Sequence, residues 1–175
     1  MKFLKNRFLI GLFCIALGLT VSLVAIPKLV RETIPDQITA VRLKSDLKAG
    51  EEVLLNGVIY TARDKVHQLL SSPDMEWPFS LTNNAIYYCG PTPASDKFPM
   101  GSCGPTTSSR MDQWSEELYL KGLAATIGKG PRSNEVSGAI EKAKAVYFVA
   151  FGGCGALYGK AVKKVEIIAF EELGP

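Results

Sequence analysis

The sequence predicts an α/β domain with at least part of its sheet parallel, preceded by one long apolar segment. Short β-rich runs alternate with segments of helical periodicity, which is typical of β–α–β units. A continuous apolar run from Ala145 to Phe151 predicts a strand that is buried on both faces, as in a parallel sheet. At 175 residues the chain is long enough for one domain and an appendage.

The predicted strands and helices follow one another from residue 53 to residue 170. β-rich composition predicts strands at Val53–Tyr60, Ala85–Cys89, Ala124–Ile127, Ala145–Phe151 and Val165–Phe170. Apolar residues at helical spacing predict helices at Ala62–Leu70, Arg110–Lys121, Glu135–Lys142 and Gly155–Val162. Gly122 is placed to end the second of these helices. Residues 71–84 and 90–108 are long connections, and loops of such length are often functional.

The N-terminal region predicts a membrane anchor. Phe8 to Ile26 contains 19 residues without a charge, which is long enough for a helix to span a bilayer. Basic residues precede it and favour a cytoplasmic N-terminus. We therefore predict an anchor or signal-like helix over residues 1–30, a linker over 31–48 and a folded domain over 49–175. A buried N-terminal helix is the alternative, and it is disfavoured because no face of the segment is polar.

Composition excludes several classes of function. The net charge is +3 and lies largely at the N-terminus, and no basic stripe is interleaved with aromatic residues, so the chain is not expected to bind nucleic acid. The four cysteines include no CxxC pair, so the sequence predicts neither a zinc site nor a disulfide framework, and no metal site in this chain.

The segment from Gly101 to Asp112 is the strongest candidate for a site. Ser109 and Asp112 fit a capping box and predict the start of a helix. Arg110 would lie in the first turn, where the positive end of the helix dipole disfavours a cation. A cation beside free N–H groups and hydroxyls indicates a site for a small anion. The alternative is an ordinary helix cap with a solvated arginine.

A second segment repeats this design. Thr61 and Asp64 again bracket an arginine, Arg63, after a predicted strand. Two arginines could clamp a dicarboxylate, because each guanidinium matches one carboxylate bidentately. Arg63 could instead pair with Asp64 or another acid.

Two further residues are weaker candidates for a role in chemistry. Lys129 lies between two glycines after another predicted strand, where it could supply a third cation. His67 is the only histidine, and a structural role is expected for it rather than proton transfer.

Five motifs, in order, resemble class I fumarate hydratase, in its β subunit or the C-terminal half of the fused enzyme, and the related L-tartrate dehydratase β subunit. They are GVIYTARDKVH (57–67), AIYYCGPTPA (85–94), GSCGPTTSSRMD (101–112), IGKG (127–130) and KAVYFVAFGGCGAL (144–157). The resemblance implies a swivelling three-layer β/β/α domain over residues 49–175 that closes on an active site shared with an α subunit. In that family the α part holds a [4Fe–4S] cluster on three cysteines, so the cysteines of this chain would not be cluster ligands.

The resemblance also implies roles for individual residues. Arg63, Arg110 and Lys129 would bind the substrate carboxylates, with Thr107 as a further substrate-binding residue, and Thr106 would handle the C–H proton. A free threonine hydroxyl is a very poor base at pH 7, so this last role requires help from neighbouring cations.

The implied activity is the reversible hydration of fumarate to malate by a heteromer with the α subunit. L-Tartrate dehydratase is an alternative, and so is a membrane-anchored, non-catalytic carboxylate-binding domain. Two features depart from the family pattern and favour that last alternative. One is the apolar segment 8–26, and the other is that the sequence stops before a further strand-forming stretch that the family has. The resemblance implies a cytoplasmic protein, whereas segment 8–26 would anchor it to a membrane.

Overall fold

A computed structural model describes residues 48–72 and 74–173, and it confirms an α/β fold with a parallel sheet. The four strands are Tyr60–Thr61 (β1), Ala85–Tyr87 (β2), Ala125–Gly128 (β3) and Val146–Val149 (β4). They lie in the order β1-β2-β3-β4, and each pairs in parallel with the next. The register places Tyr60 opposite Ile86, and Ala125 opposite both Ala85 and Val146.

Helices connect the strands at nearly the predicted positions. The α-helices are Asp64–Leu70 (α1), Asp112–Leu120 (α2), Asn134–Ala143 (α3) and Gly155–Ala161 (α4). Short 3₁₀ helices are formed by Ser108–Met111, which runs into α2, and by Glu171–Leu173. Gly122 has a φ of +99° just after α2 and ends it, as predicted. Neighbouring strands in the sheet are consecutive in the chain, and the connections between parallel strands are right-handed crossovers. The helices in these connections, α1, α2 and α3, therefore lie on one face of the sheet.

Alternating strand residues divide the core between the two faces of the sheet. Ile86 and Tyr88 pack with Leu118, Tyr119 and other helix residues in the larger cluster. On the opposite face a smaller cluster contains Ala85, Ala125 and Ile127, with Leu55 and Ile59 packed against it. In the described part of the chain the segment that carries Leu55 and Ile59 packs on this second face, and a second β layer is not seen there.

Three predictions about strands are wrong. Of Val53–Tyr60 only the last residue pairs, within β1, and Val165–Phe170 forms no strand among the described residues. The run after Ala145 is not buried on both faces: in the described sheet β4 is an edge strand, and its first three residues are only half-buried. Val149, the last residue of β4, is 62% exposed, and Phe151, which follows the strand, is 66% exposed.

The apolar segment 8–26 and almost all of the predicted linker lie outside the described residues, so the predicted anchor and domain boundaries stay predictions. Within residues 48–72 and 74–173, no helix is long and apolar enough to cross a membrane.

A buried arginine joins the helices to the sheet. The side chain of Arg132 is 2% exposed, and its Nε donates to Asp112 Oδ1 at 2.7 Å. Its two terminal nitrogens donate to Thr126 Oγ1 at 3.1 Å and to Ser115 Oγ at 2.5 Å. The guanidinium carbon also lies 5.4 Å from the ring centre of Tyr88. One side chain thereby connects α2, β3 and the residues after β2.

Arg132→Leu should lower the free energy of unfolding by about 3–5 kcal/mol, because it leaves the Asp112 carboxylate poorly exposed and without its cation. Urea denaturation followed by tryptophan fluorescence measures the change. Lys164→Ala is the control, since Lys164 pairs with Glu166 where both side chains are more than two-thirds exposed, and it should change stability by less than about 1 kcal/mol. Equal, small effects of the two substitutions would contradict the structural role of Arg132.

His67 is buried among aromatic rings, as expected for a structural histidine. Its ring centre lies 5.7 Å from that of Trp77 and 5.6 Å from that of Tyr88. Nδ1 is 3.1 Å from the Arg63 carbonyl oxygen, which fits an N–H donor at Nδ1, and the buried Nε2 has no partner among the described residues. Burial lowers the pKa of His67, so the folded chain holds the ring neutral.

The depressed pKa of His67 predicts a loss of stability on acidification. Below the ordinary histidine pKa of about 6.5, the unfolded chain binds a proton that the folded chain does not bind. The free energy of unfolding should therefore fall from pH 7.5 to pH 5.5, with a slope of at most about 1.4 kcal/mol per pH unit from this group. His67→Phe should flatten the dependence in urea denaturation, and a slope unchanged by this substitution would contradict the assignment.

Candidate functional site

The carboxyl ends of the parallel strands meet at one edge of the sheet, where open α/β folds bind their ligands. Arg63 follows β1, Gly90 follows β2 and Lys129 follows β3, so the topology brings three predicted motifs to this edge. We call it the carboxyl edge.

Arg63 lies across the chain that leaves β2. It precedes α1 with an extended backbone, at φ −145° and ψ −164°, and its side chain is directed over Gly90. A Cβ atom at Gly90 would lie 2.7 Å from Nε of Arg63 and overlap the rest of the guanidinium. Glycine at position 90 therefore leaves the space that the Arg63 side chain occupies.

The two threonines reach the carboxyl edge because residues 105–108 pass beside the end of β3. The Thr106 N–H donates to the Tyr88 carbonyl at 2.7 Å, and the Lys129 N–H donates to the Thr106 carbonyl at 3.2 Å. The Ser108 N–H donates to the Lys129 carbonyl at 2.9 Å. Thr107 and Lys129 form an isolated parallel β-bridge. Predicted residues that are more than twenty positions apart in the chain thus become backbone neighbours.

A tyrosine on β4 holds this loop in place. The Tyr147 hydroxyl is 2.8 Å from Ser108 Oγ and 2.7 Å from the Gly130 carbonyl oxygen, and Ser108 is fully buried. A Cβ atom at Gly128 would lie 3.0 Å from Tyr88 Cδ2 and overlap the Ser108 hydroxyl. The loop is therefore fixed by close packing as well as by its backbone bonds.

Arg110 is joined to the other predicted arginine motif by an ion pair. Its Nε donates to Asp64 Oδ1 at 2.8 Å, and Nη2 contacts Asp64 Oδ2. This hydrogen bond, opposed by partial burial of the carboxyl, holds the pKa of Asp64 below its ordinary value. The sequence leaves open that Arg63 pairs with Asp64 or with another acid. In the structure Asp64 pairs with Arg110 instead.

The predicted capping box is wrong. Thr107 precedes the 3₁₀ turn and Met111 precedes α2, and neither makes a side-chain cap hydrogen bond. Asp112 binds Arg132, and its Oδ2 accepts from the Ser133 N–H at 2.8 Å. Thr61 does not cap α1 either, because Arg63 occupies the cap position. Both acids of the two motifs are used in long-range ion pairs.

The carboxyl edge carries more positive than negative charge. Arg63 and Lys129 are exposed and form no ion pair within the described residues, whereas Arg110 is paired with Asp64. The side chains of Thr106 and Thr107 are half-buried and make no hydrogen bond in the same part of the chain. Exposed cations beside two hydroxyls suit a small molecule that bears carboxylates.

The cysteines do not form a metal site in the described part of the chain. Cys89 and Cys103 are buried, and burial raises the pKa of Cys89 to about 12. Burial raises the pKa of Cys103 as well, so both are protonated thiols at neutral pH. Residues 48–72 and 74–173 contain no group of three or more His, Cys, Asp or Glu side chains that could hold a metal ion.

Sequence reasoning missed three contributors to this site: Gly90, the pairing of Asp64 with Arg110, and Tyr147. Gly90 precedes a proline and resembles an ordinary turn glycine, and Tyr147 lies in an apolar run. No local pattern marks a partner that lies 39 or 46 positions away.

Comparison with known proteins identifies the family. Residues 28–175 match the family described as "Fumarase C-terminus". The "Putative L(+)-tartrate dehydratase subunit beta" of Methanocaldococcus jannaschii is 41% identical, over 73% of this chain and 69% of that protein. The L(+)-tartrate dehydratase subunit beta of Escherichia coli K12 is 32% identical, over 74% of this chain and 66% of that protein.

Fumarate hydratase 2 of Leishmania major is 34% identical over 74% of this chain, and the chain spans 24% of that longer protein. The chain therefore belongs to the fumarase C-terminus family, as the five motifs predicted. The enzymes named are hydro-lyases, and the tartrate dehydratase relatives are named as β subunits.

Gly90→Ala should weaken the binding of a dicarboxylate about tenfold or more, because the new methyl group displaces the Arg63 guanidinium from its place. Isothermal titration calorimetry with succinate measures the dissociation constant of each variant. Gly138→Ala is the matched control, since nothing lies within 4 Å of a Cβ atom there. Equal dissociation constants for the two variants would show that Arg63 does not bind the ligand from this position.

Proposed function

We propose that this chain is the β subunit of a fumarate-hydratase-type hydro-lyase, which adds water reversibly to fumarate to give malate. The observation that supports it best is the meeting of Arg63, Arg110, Lys129 and two threonines at the carboxyl edge, in a chain of the fumarase C-terminus family. The proposal includes the swivelling motion of a three-layer domain over the shared site.

The cations would bind and orient the substrate. Arg63 and Lys129, which form no ion pair within the described residues, would contact substrate carboxylates, and Arg110 would do so through the donors that Asp64 leaves unused. Thr107, whose backbone is bridged to Lys129, would contact substrate through its hydroxyl. A fixed arrangement of donors would hold the reacting carbons in one orientation, which is a main source of rate enhancement.

Thr106 would transfer the proton at carbon. In the dehydration direction Thr106 Oγ, as the alkoxide, would accept the C–H proton while hydroxide leaves the neighbouring carbon. That hydroxide would then take the hydroxyl proton and depart as water, and in hydration the same steps would run in reverse. A threonine hydroxyl needs a lowered pKa for this role, and nearby positive charge supplies it. Lys129 is a candidate for this role, because its backbone N–H donates to the Thr106 carbonyl oxygen.

The iron–sulfur cluster of this enzyme class would be held by a partner α subunit, which would complete the site in a heteromer. Such a cluster supplies Lewis-acid chemistry at the substrate hydroxyl. The described residues contain no group of three or more His, Cys, Asp or Glu side chains that fits the ligand set of a cluster, so their role would be to bind the substrate and move its proton.

L-Tartrate dehydration is the second candidate. Two of the relatives above carry that name, and one of them is 41% identical to this chain. Tartrate has one hydroxyl more than malate, and the same cations and proton-transfer residue would serve either substrate.

Co-purification of the full chain with a class I hydro-lyase α subunit, with its cluster complete, should yield dehydration of malate or of tartrate. Thr106→Val should lower kcat by about 10²–10⁴-fold, the usual contribution of a general acid or base, while Thr106→Ser retains activity. Ser109→Ala is the control, because this exposed hydroxyl lies in the same run and has no assigned role. Steady-state kinetics with both substrates measures the effects.

An intact, cluster-loaded heteromer without activity on either substrate would refute the proposed function. Full activity of Thr106→Val would refute the role of Thr106 and leave the carboxylate-binding role of the cations standing.

A further inference from the structure

Asp64 is an acidic residue that binds one of the cationic side chains of the carboxyl edge, that of Arg110. It is the first residue of α1, directly after Arg63, and its side chain is 33% exposed. Both of its carboxylate oxygens are engaged by Arg110, which reaches it from the 3₁₀ helix ahead of α2. An internal carboxylate therefore already occupies one of the arginines predicted to bind substrate.

The geometry of the pair leaves Arg110 able to bind a second carboxylate. A guanidinium has five N–H donors arranged along two usable edges. Asp64 takes the edge formed by Nε and Nη2, and Nη1 has no hydrogen-bond partner within the described residues. The edge formed by the two terminal nitrogens can still hold a carboxylate bidentately.

The charges at the carboxyl edge favour retention of Asp64 when a ligand binds. Arg63, Arg110 and Lys129 with Asp64 carry two net positive charges, which match the two negative charges of a dicarboxylate. Displacing Asp64 from Arg110 would leave a partly buried carboxylate unpaired beside an incoming anion, and like charges repel. The side chain of Arg110 is 53% exposed, so without Asp64 it would have many rotamers open to it.

We propose that Asp64 is a positioning residue that orients Arg110 toward one carboxylate of the substrate. This inference rests on the proposed function. The alternative role for Asp64 is that of a placeholder, a carboxylate that the substrate displaces from Arg110. The two roles predict opposite effects on affinity, because removal of a placeholder strengthens substrate binding and removal of a positioning residue weakens it.

The test compares Asp64→Asn, Asp64→Glu and Arg110→Gln in the full chain, assembled with the α subunit. Asp64→Asn should raise KM about tenfold with a smaller change in kcat, the effect of one lost charge-assisted hydrogen bond. Asp64→Glu should restore part of the affinity. Asp74→Asn, an exposed acid of the 71–84 connection, is the matched control and should leave both constants unchanged.

A double-mutant cycle separates positioning from a general effect on folding. If Asp64 acts through Arg110, Asp64→Asn should add little to KM in the Arg110→Gln background, so the two effects are not additive. A lower KM for Asp64→Asn, an unchanged KM or additive effects would each overturn the role of Asp64 while leaving the proposed function standing. Inactivity of the unmodified complex on malate and on tartrate would overturn both.

Discussion

The buried guanidinium of Arg132 is the interaction on which the arrangement of the site depends. Removing a cation from water is unfavourable unless its donors are satisfied, and here Asp112, Ser115 and Thr126 accept from it. These residues come from α2 and β3, so the cation sets the position of the helix against the sheet. Because Arg110 lies in the turn that leads into α2, its reach toward Asp64 depends on the same buried contact.

The parallel sheet and one added segment bring the chemistry together. Consecutive parallel strands deliver Arg63 and Lys129 to one edge, and residues 105–108 lie beside the end of β3 through backbone hydrogen bonds. The resulting surface is open and carries cations that lack ion-pair partners in the described part of the chain. Under the proposed function, the α subunit would cover this surface and exclude water during the reaction.

The two acids that sequence patterns interpreted as helix caps show the limit of local reasoning. Asp64 and Asp112 stand at capping-box spacing, but each binds an arginine that is distant in the chain. A bond to a guanidinium adds the attraction of opposite charges to the hydrogen bond that a backbone N–H would give the same carboxylate. The spacing in the sequence predicts only the local contact of each aspartate, a helix cap. The distant arginine becomes available as a partner only when the chain folds.

From the sequence alone one could place β2, β3, β4 and the four helices to within a few positions and recognise the family, whereas the roles of the five site residues stay predictions. These features follow from periodicity, turn residues and ordered motifs, which act over short stretches of chain. Folding in three dimensions settled the rest: the edge position of β4, the unpaired state of Val165–Phe170, the place of Arg63 on Gly90 and the pairing of Asp64 with Arg110. Each of these depends on a neighbour that is far away in the chain, so no local pattern of residue types can specify it.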